Sequence, residues 1–279
     1  MIADTEFNLT HSKQYELAVL IESAGFSFTA YHAKEKKILF VDDYHFEESL
    51  DADALLNKLE EILKKNEFVY APFYACKVGI STPVFTAVPQ SLFEDGTERK
   101  LLSSLCQTSA TASVETQLLP SLEMNFLYEI PLQTKLFFKK QFLRLNFSHS
   151  FSYLFQNWFS QIKNKTTAQY LLQFEADYFY VALIKEGKLF CINAFKYNTP
   201  EDFIYYLLFV LETHKIDNLE VELTLYGNIQ EHPKHNELLT TYIKNISYGK
   251  RPTNLILSDA FNPLPSNQLA TLLNLASCE

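Results

Sequence analysis

Glycine is scarce in this chain, and its scarcity limits the kinds of site that the loops can build. The sequence has 6 glycines in 279 residues, against a usual share of about 7%. Loops that cradle phosphates need glycine because their backbone must adopt positive φ and approach the ligand closely. Neither the GxGxxG pattern of dinucleotide-binding folds nor the GxxxxGK[ST] pattern of P-loop proteins occurs. Both of those classes are therefore excluded.

Cysteine pairs, long apolar runs and a basic surplus are also missing. Cys76, Cys106, Cys191 and Cys278 are far apart and form no CxxC motif, so we expect reduced thiols rather than a disulfide framework. The longest apolar run, Phe203 to Leu211, has nine residues and is too short to span a bilayer. The N-terminus has no signal-peptide core, and the net charge of −9 argues against nucleic acid and anionic membranes. These features predict a soluble, cytoplasmic protein.

What the sequence does contain is one arrangement of elements that occurs twice. Residues 15–61 and residues 169–214 each read as strand, acid-led turn, strand, short turn, strand and acid-capped helix. In this alignment Leu20–Phe26 meets Gln173–Phe179. A repeat of this length indicates two related domains rather than a solenoid.

Each repeated unit continues with a further strand and a further helix. The order β-β-β-α-β-α, found twice, predicts an α/β fold of two ribonuclease H-like domains with a cleft between them. We expect residues 1–122 to form the first domain and residues 123–279 to form the second.

Local patterns predict the behaviour of three segments. Asp51 and Asp53 precede an amphipathic helix, where they suit its N-cap and first turn. The Ser- and Thr-rich stretch 107–117 reads as a loop between modules. The helix that Thr199 caps is apolar from Phe203 to Leu211, which predicts burial on more than one face near the domain interface.

Motifs spread over most of the chain carry a family resemblance. They are Gly25–Phe28, Phe85–Phe93, Gly187–Phe190, Thr199–Asp202 and Leu225–Gly227. Together they resemble a bacterial family of unknown function, of the Bacteroidetes type, that has an actin-like ATPase fold. The resemblance implies duplicated ribonuclease H-like domains and an interdomain cleft, and it implies no established activity.

The same resemblance implies where a ligand site would lie. Working actin-like ATPases grip phosphates with an Asp-x-Gly turn in each domain and hold adenosine at a glycine pair after a late strand. Here the corresponding segments are Glu22–Gly25, Glu175–Tyr178 and Leu225–Asn228, which have lost that pattern. The candidate cofactor-binding residues in the cleft are Glu22, Ser23, Gly25, Glu175, Asp177 and Gly227.

Other clusters of reactive side chains favour structural interpretations. The acids of the two turns could hold a metal-bound water or act as a base, but solvated turn acids are the simpler interpretation. A nuclease would need more converging carboxylates and a basic track. His232 and His235 have no evident third metal ligand, and the basic, aromatic stretch 135–144 has the spacing of an amphipathic helix rather than of a single-strand-binding surface. We predict no catalytic residue and no metal site.

The sequence favours a non-catalytic binding or scaffold protein on a degenerate actin-like ATPase fold, although enzymatic activity stays an open question. No cofactor is expected, and the expected partner is another protein. A homodimer is left open, whereas nucleic acid and membrane insertion are excluded. The alternative is a nucleotide-binding ATPase or kinase-like protein that binds ATP with Mg²⁺ through atypical phosphate loops in the cleft.

Overall fold

The computed structural model describes residues 2–68 and 70–278, which form α-helices and three β-sheets. The strands are β1 (Ile2–Ala3), β2 (Glu16–Glu22), β3 (Gly25–His32), β4 (Lys37–His45), β5 (Ala75–Ile80), β6 (Phe85–Pro89), β7 (Ala112–Leu119), β8 (Met124–Pro131), β9 (Leu145–His149), β10 (Gln169–Phe174), β11 (Tyr178–Lys185), β12 (Lys188–Lys196), β13 (Glu222–Gly227) and β14 (Asn245–Tyr248). The α-helices are α1 (Ala52–Lys65), α2 (Glu98–Leu105), α3 (Leu132–Gln141), α4 (Ser150–Ile162), α5 (Pro200–Thr213), α6 (Pro233–Tyr242) and α7 (Ser266–Ser277).

The two larger sheets share one five-strand topology, to which the first sheet adds the short edge strand β1. The first sheet has the order β1-β4-β3-β2-β5-β9, and the second has the order β12-β11-β10-β13-β14. In each sheet three consecutive strands form an antiparallel meander, and the first of them pairs in parallel with a strand that follows a helix. The next strand outward, β9 in the first sheet and β14 in the second, is parallel to its neighbour β5 or β13. This repeated topology confirms the prediction of two ribonuclease H-like modules.

A smaller unit, the insert, lies between β5 and α3. It consists of a three-stranded antiparallel sheet of order β6-β8-β7 together with α2. The prediction of a loop over residues 107–117 is wrong for its second half, because β7 begins at Ala112 and pairs with β8 along its whole length. The Ser, Thr and Val residues of β7 suit a half-exposed strand, and β8 follows it after a short turn, so the two strands form a β-hairpin.

Strand pairing does not divide the chain at residue 122. β9, which follows that position, pairs in parallel with β5 at the edge of the first sheet. The last strand of the first sheet ends at His149, and the second sheet begins at Gln169. The domain division into 1–122 and 123–279 stays a prediction.

The modules share one core and have separate outer layers. The shared core joins Leu17 and Phe26 of the first sheet to Leu171 and Tyr180 of the second, with Trp158 of α4 among them. Helices α5 and α6 cover the outer face of the second sheet. Helix α7 returns to the first module and packs on the outer face of its sheet.

Both predicted helix caps are confirmed. The Asp51 carboxylate accepts the backbone N–H of Ala54 at 2.8 Å. At the start of α5, Thr199 and Asp202 form a capping box, in which the Thr199 hydroxyl oxygen accepts the Asp202 N–H at 3.1 Å. These caps are local features, which is why the sequence predicts them well.

The predicted burial of α5 on more than one face is wrong. Phe203, Leu207 and Val210 are buried against the second sheet, but Tyr205 is 61% exposed and Phe209 is 47% exposed. The helix lies at the periphery of its module, so only one side contacts the sheet. Among the described residues no helix has the length and apolar character that crossing a membrane requires.

Candidate functional site

The structure brings the first two turns of the candidate site into direct contact. Glu22 ends β2 and Glu175 follows β10, so the two turns face each other across the boundary between the modules. The Ser23 hydroxyl donates a hydrogen bond to Asp177 Oδ1 at 2.6 Å. These residues are 154 positions apart in sequence, and their contact joins the two modules at the cleft.

This contact divides the cleft into two pockets. On one side lies a pocket of about 180 Å³, lined by Ala24 and Ala176. On the other side lies a pocket of about 190 Å³, lined by Ser23 and Asp177. Glu22 lines both pockets. We call the first the acidic pocket and the second the apolar pocket.

Carboxylates dominate the acidic pocket. No lysine or arginine is among its described lining residues. Its acids are Glu22, Asp43, Glu47, Glu175 and Glu231. Burial, followed by repulsion from Glu175 and Asp43, raises the pKa of Glu22 well above its ordinary value. The raised pKa means that the folded protein favours the protonated, neutral form of Glu22, because this pocket disfavours a further negative charge. It would disfavour an anionic ligand for the same reason.

One strong acid–base pair lies at the rim of the acidic pocket. His45 Nε2 is 2.8 Å from Asp43 Oδ2. This hydrogen bond, together with the nearby carboxylates, raises the pKa of His45 to about 9. The imidazolium is thus neutralised by Asp43, and it does not supply a free positive charge to the pocket.

A buried hydrogen-bond network holds the modules together beneath the cleft. Glu175 is 7% exposed, and its Oε1 accepts hydrogen bonds from Gln173 at 2.6 Å and from Ser81 at 3.1 Å. The Tyr180 hydroxyl donates to the carbonyl of Thr82 at 3.0 Å. Burial raises the pKa of Glu175 to about 7, although the two hydrogen bonds favour its charged form. Because Ser81 and Thr82 belong to the first module, this network is a polar joint between the two halves.

Gly25 and Gly227 have structural explanations that involve no ligand. A Cβ atom on Gly227, whose φ is +87°, would lie 2.2 Å from the carbonyl oxygen of Phe174. These two residues are paired where β10 and β13 end. A Cβ atom on Gly25 would lie 2.3 Å from the carbonyl oxygen of Tyr44. Each glycine is required by close approach between strands.

The third predicted loop, Leu225–Asn228, is hydrogen-bonded to α7. Asn267 Nδ2, in the first turn of α7, donates to the carbonyl oxygen of Gly227 at 2.7 Å. The next residue, Gln268, donates to the side-chain oxygen of Asn228. Gly227, Asn228 and Gln268 all line the acidic pocket, so α7 closes one end of it.

The other sequence candidates lie in structural surroundings. His232 lines the acidic pocket, and its ring contacts that of His235 at 5.6 Å between centroids. Burial lowers the pKa of His235. No cluster of three or more His, Cys, Asp or Glu residues suited to a metal ion occurs in residues 2–68 and 70–278. In α3, Phe137 and Phe138 are buried in the core, so they are not available to stack on nucleic-acid bases.

Sequence reasoning missed Ser81 and Lys196, and it recognised Tyr178 only as part of the second turn. Ser81 follows β5, which is parallel to β2, so the residues after both strands share one edge of the sheet. That rule about strand ends could have identified Ser81. Tyr178 and Lys196 are paired across β11 and β12, and only the packing of the modules places them beside the first turn.

Comparison with known proteins decides the family. Residues 4–246 match the protein family described as "Protein of unknown function (DUF3822)". The chain belongs to this family. A comparison with curated proteins finds no match. The family resemblance inferred from the motifs is thereby confirmed.

Solved structures show the same fold. A Bacteroides thetaiotaomicron protein with an actin-like ATPase fold and unknown function aligns with a TM-score of 0.79 at 21% identity, over 98% of this chain and 99% of that one. The PilM–PilN type IV pilus biogenesis complex aligns with a TM-score of 0.65 at 9% identity, over 94% and 97%. The ethanolamine utilization protein EutJ from Carboxydothermus hydrogenoformans gives a TM-score of 0.50 at 9% identity, over 99% and 92%. This chain therefore has the actin-like ATPase fold.

Proposed function

We propose that this chain is a non-catalytic binding or scaffold protein on a degenerate actin-like ATPase fold, and that its partner is another protein. The hydrogen bond between Ser23 and Asp177 carries this proposal. It joins the two turns between which the phosphates of a nucleotide would have to lie. A ligand there would need to break this contact and separate the turns.

Electrostatics in the acidic pocket also disfavours a nucleotide. The acidic pocket supplies carboxylates, and its described lining supplies neither lysine nor arginine. Phosphate binding normally relies on glycine-turn N–H groups and on cations. Opening the turns would also disturb two hydrogen bonds that cross between the modules, from Ser81 to Glu175 and from Tyr180 to the carbonyl of Thr82. Leaving such buried polar groups unpaired costs about 1–3 kcal/mol each.

An exposed aromatic surface on the second module supports binding to a protein. Phe190, Tyr205 and Phe209 are its exposed members, and Phe195 and Tyr206 are half-buried. Tyr205 stacks on Phe209 at 6.1 Å and Phe195 stacks on Tyr206 at 5.4 Å between ring centroids. Exposed contiguous apolar side chains of this kind mark interaction sites, and tyrosine is enriched among the residues that dominate binding energy.

The neighbouring strand edge favours a different protein over a second copy of this chain. β12 is the outermost strand of the second sheet, and no described strand pairs with its free edge. Its two ends carry the exposed Lys188 and Lys196. Two copies of β12 paired antiparallel about Ile192 would place these lysines opposite each other, which is unfavourable. An incoming strand with acidic ends and apolar residues between them would match this edge.

The fold itself has a precedent for a protein partner. The solved PilM structure is a complex with PilN in type IV pilus biogenesis. At 9% identity the likeness concerns the fold alone. It supports the proposal only by showing an actin-like protein in an assembly, and the cytoplasmic location expected from the sequence stays a prediction.

A nucleotide titration tests the non-catalytic part of the proposal. We expect Mg-ATP to give no saturable heat in calorimetry, no released phosphate and no rise in melting temperature. A ligand present at 100 times its Kd would stabilise the protein by about 2.7 kcal/mol, so the melting assay is sensitive. Binding tighter than about 100 μM that Asp177→Ala abolishes would support the ATPase or kinase-like alternative instead.

A comparison of surface variants tests the partner. Protein captured from the native cell by the wild-type chain should be lost with the double variant Tyr205→Ser, Phe209→Ser. The control is Tyr70→Ser, which removes a tyrosine that is 74% exposed on the first module. Equal capture by the wild type and the double variant would show that the aromatic surface is not the binding surface.

A further inference from the structure

The apolar pocket has the composition of a binding site for a small molecule. Its walls include Leu55, Leu56 and Leu59 of α1 together with Ile21 and Ile80 from the ends of two strands. Its volume of about 190 Å³ is below the ~300–1,000 Å³ of pockets that hold drug-sized ligands. A metabolite with a short branched apolar chain fits these dimensions.

Charges of both signs lie at the mouth of this pocket. Asp177 and Lys196 both line it. Asp177 Oδ1 accepts a hydrogen bond from the Ser23 hydroxyl, and Asp177 Oδ2 has no hydrogen-bond partner within the described residues. Lys196 is exposed and forms no ion pair with any residue that the structure describes. The pocket therefore offers one anionic and one cationic group that protein contacts leave available.

Tyr178 also lines the pocket and is 1% exposed. Its hydroxyl is buried beside Ser81 and Tyr180. That hydroxyl therefore belongs to the polar joint between the modules, and Tyr178 serves the pocket only as part of its wall.

We propose that the apolar pocket binds a free apolar α-amino acid of about the size of leucine. The α-ammonium group meets Asp177, the α-carboxylate meets Lys196, and the side chain packs among the leucines of α1. This assignment uses both free charges, whereas a simple amine or a simple monocarboxylate would leave one charge unused.

Three probes separate these ligand classes in calorimetric titrations of the full chain. The probes are L-leucine, isocaproate, which lacks the ammonium group, and isoamylamine, which lacks the carboxylate. We expect L-leucine to bind at least about tenfold more tightly than either truncated analogue, since each charged hydrogen bond is worth about 1.5–3 kcal/mol. Isocaproate or isoamylamine binding as tightly as L-leucine would overturn the assignment, as would the absence of saturable L-leucine binding at millimolar concentration.

Matched variants locate the two ends of the ligand. Lys196→Met should reduce L-leucine affinity to that of isoamylamine and leave isoamylamine binding unchanged. Asp177→Asn, which keeps an oxygen for Ser23, should reduce L-leucine affinity to that of isocaproate. Lys188→Met is the control, because this lysine is at the other end of β12. An equal loss with Lys188→Met would show a general charge effect and would overturn the site.

One further variant tests the pocket itself. Leu56→Trp, at a half-buried wall position, should fill the cavity and abolish binding of all three probes. Unchanged L-leucine affinity in a folded Leu56→Trp variant would place the bound amino acid elsewhere. These tests do not depend on the protein partner, so either proposal can fail without the other.

Discussion

Gly227 and Gly96 both have φ of +87°, but their surroundings differ completely. A Cβ atom on Gly96 would meet nothing within 4 Å, whereas one on Gly227 would overlap the carbonyl oxygen of Phe174. Gly96→Ala should therefore reduce the free energy of unfolding by only about 1 kcal/mol, because alanine is less stable than glycine in the left-handed conformation. Gly227→Ala should cost about 3 kcal/mol or more, because the ends of β10 and β13 must also move apart. Urea denaturation of the two variants measures the difference, and equal losses would mean that strand approach is not what requires Gly227.

Glu175 should make the stability of the fold depend on pH. Burial raises its pKa from 4.5 to about 7 in the folded state. The folded protein is therefore more stable with this carboxyl protonated than with it charged. That stabilisation is present below the unfolded pKa and is lost as pH rises from about 4.5 through about 7, by roughly 3 kcal/mol.

Glu175→Gln isolates this effect. The variant keeps an oxygen for Ser81 and Gln173, so it should be more stable than the wild type above about pH 7 and similar to it near pH 5. Urea denaturation across this range gives the profile. Glu48→Gln removes an exposed carboxylate and serves as the control. A pH profile of Glu175→Gln that parallels the wild type would contradict the raised pKa.

At the scale of elements, the two sides of α5 should respond differently to substitution, because one side is buried and the other is exposed. Leu207 is fully buried, and Tyr205 on the same helix is mostly exposed. Leu207→Ala should destabilise the protein by about 2–5 kcal/mol, whereas Tyr205→Ser should change stability by less than about 0.5 kcal/mol. Thermal denaturation distinguishes the two. Comparable losses would mean that the outer face of α5 is covered.

Sequence prediction succeeded where the deciding contacts are local. The caps at Asp51 and Thr199 depend on residues within a few positions, and the meander strands depend on alternation within single segments. It failed for β7 because serine and threonine are as typical of loops as of a half-exposed strand, although the partner β8 follows closely in the chain. It failed for α5 because nine apolar residues do not reveal whether one or two layers will cover them.

The candidate site was predictable only in part. The acids at the ends of β2 and β10 follow from the repeated pattern, since equivalent strands carry equivalent turns. The Ser23–Asp177 bond joins residues 154 positions apart and depends on how the modules pack, so no local pattern predicts it. The same holds for Lys196 and Tyr178 in the apolar pocket.

At the scale of the whole molecule, α7 links the modules from outside the shared core. Its leucines pack on the first sheet, and Asn267 bonds the end of β13 in the second. Lys77 of β5 also donates to the carbonyl oxygen of Ala276 at 3.0 Å. Asn267→Ala should therefore increase amide exchange around Gly227 while leaving β3 protected. Ser277→Ala, near the other end of the helix, provides the comparison, and equal exchange in the two variants would remove this role of Asn267.

The shared core predicts that both modules unfold together. Trp158 is the only tryptophan and is buried in the core that both sheets build, whereas Leu223 is buried beneath α5 and α6, outside that core. Leu223→Ala should destabilise the protein by about 2–5 kcal/mol. If the modules form one cooperative unit, urea midpoints from Trp158 fluorescence and from far-UV circular dichroism should shift by the same amount. If the fluorescence midpoint stays at the wild-type value while the dichroism midpoint falls, the second module unfolds alone. The Ser23–Asp177 contact and the network around Glu175 would then not couple the two halves.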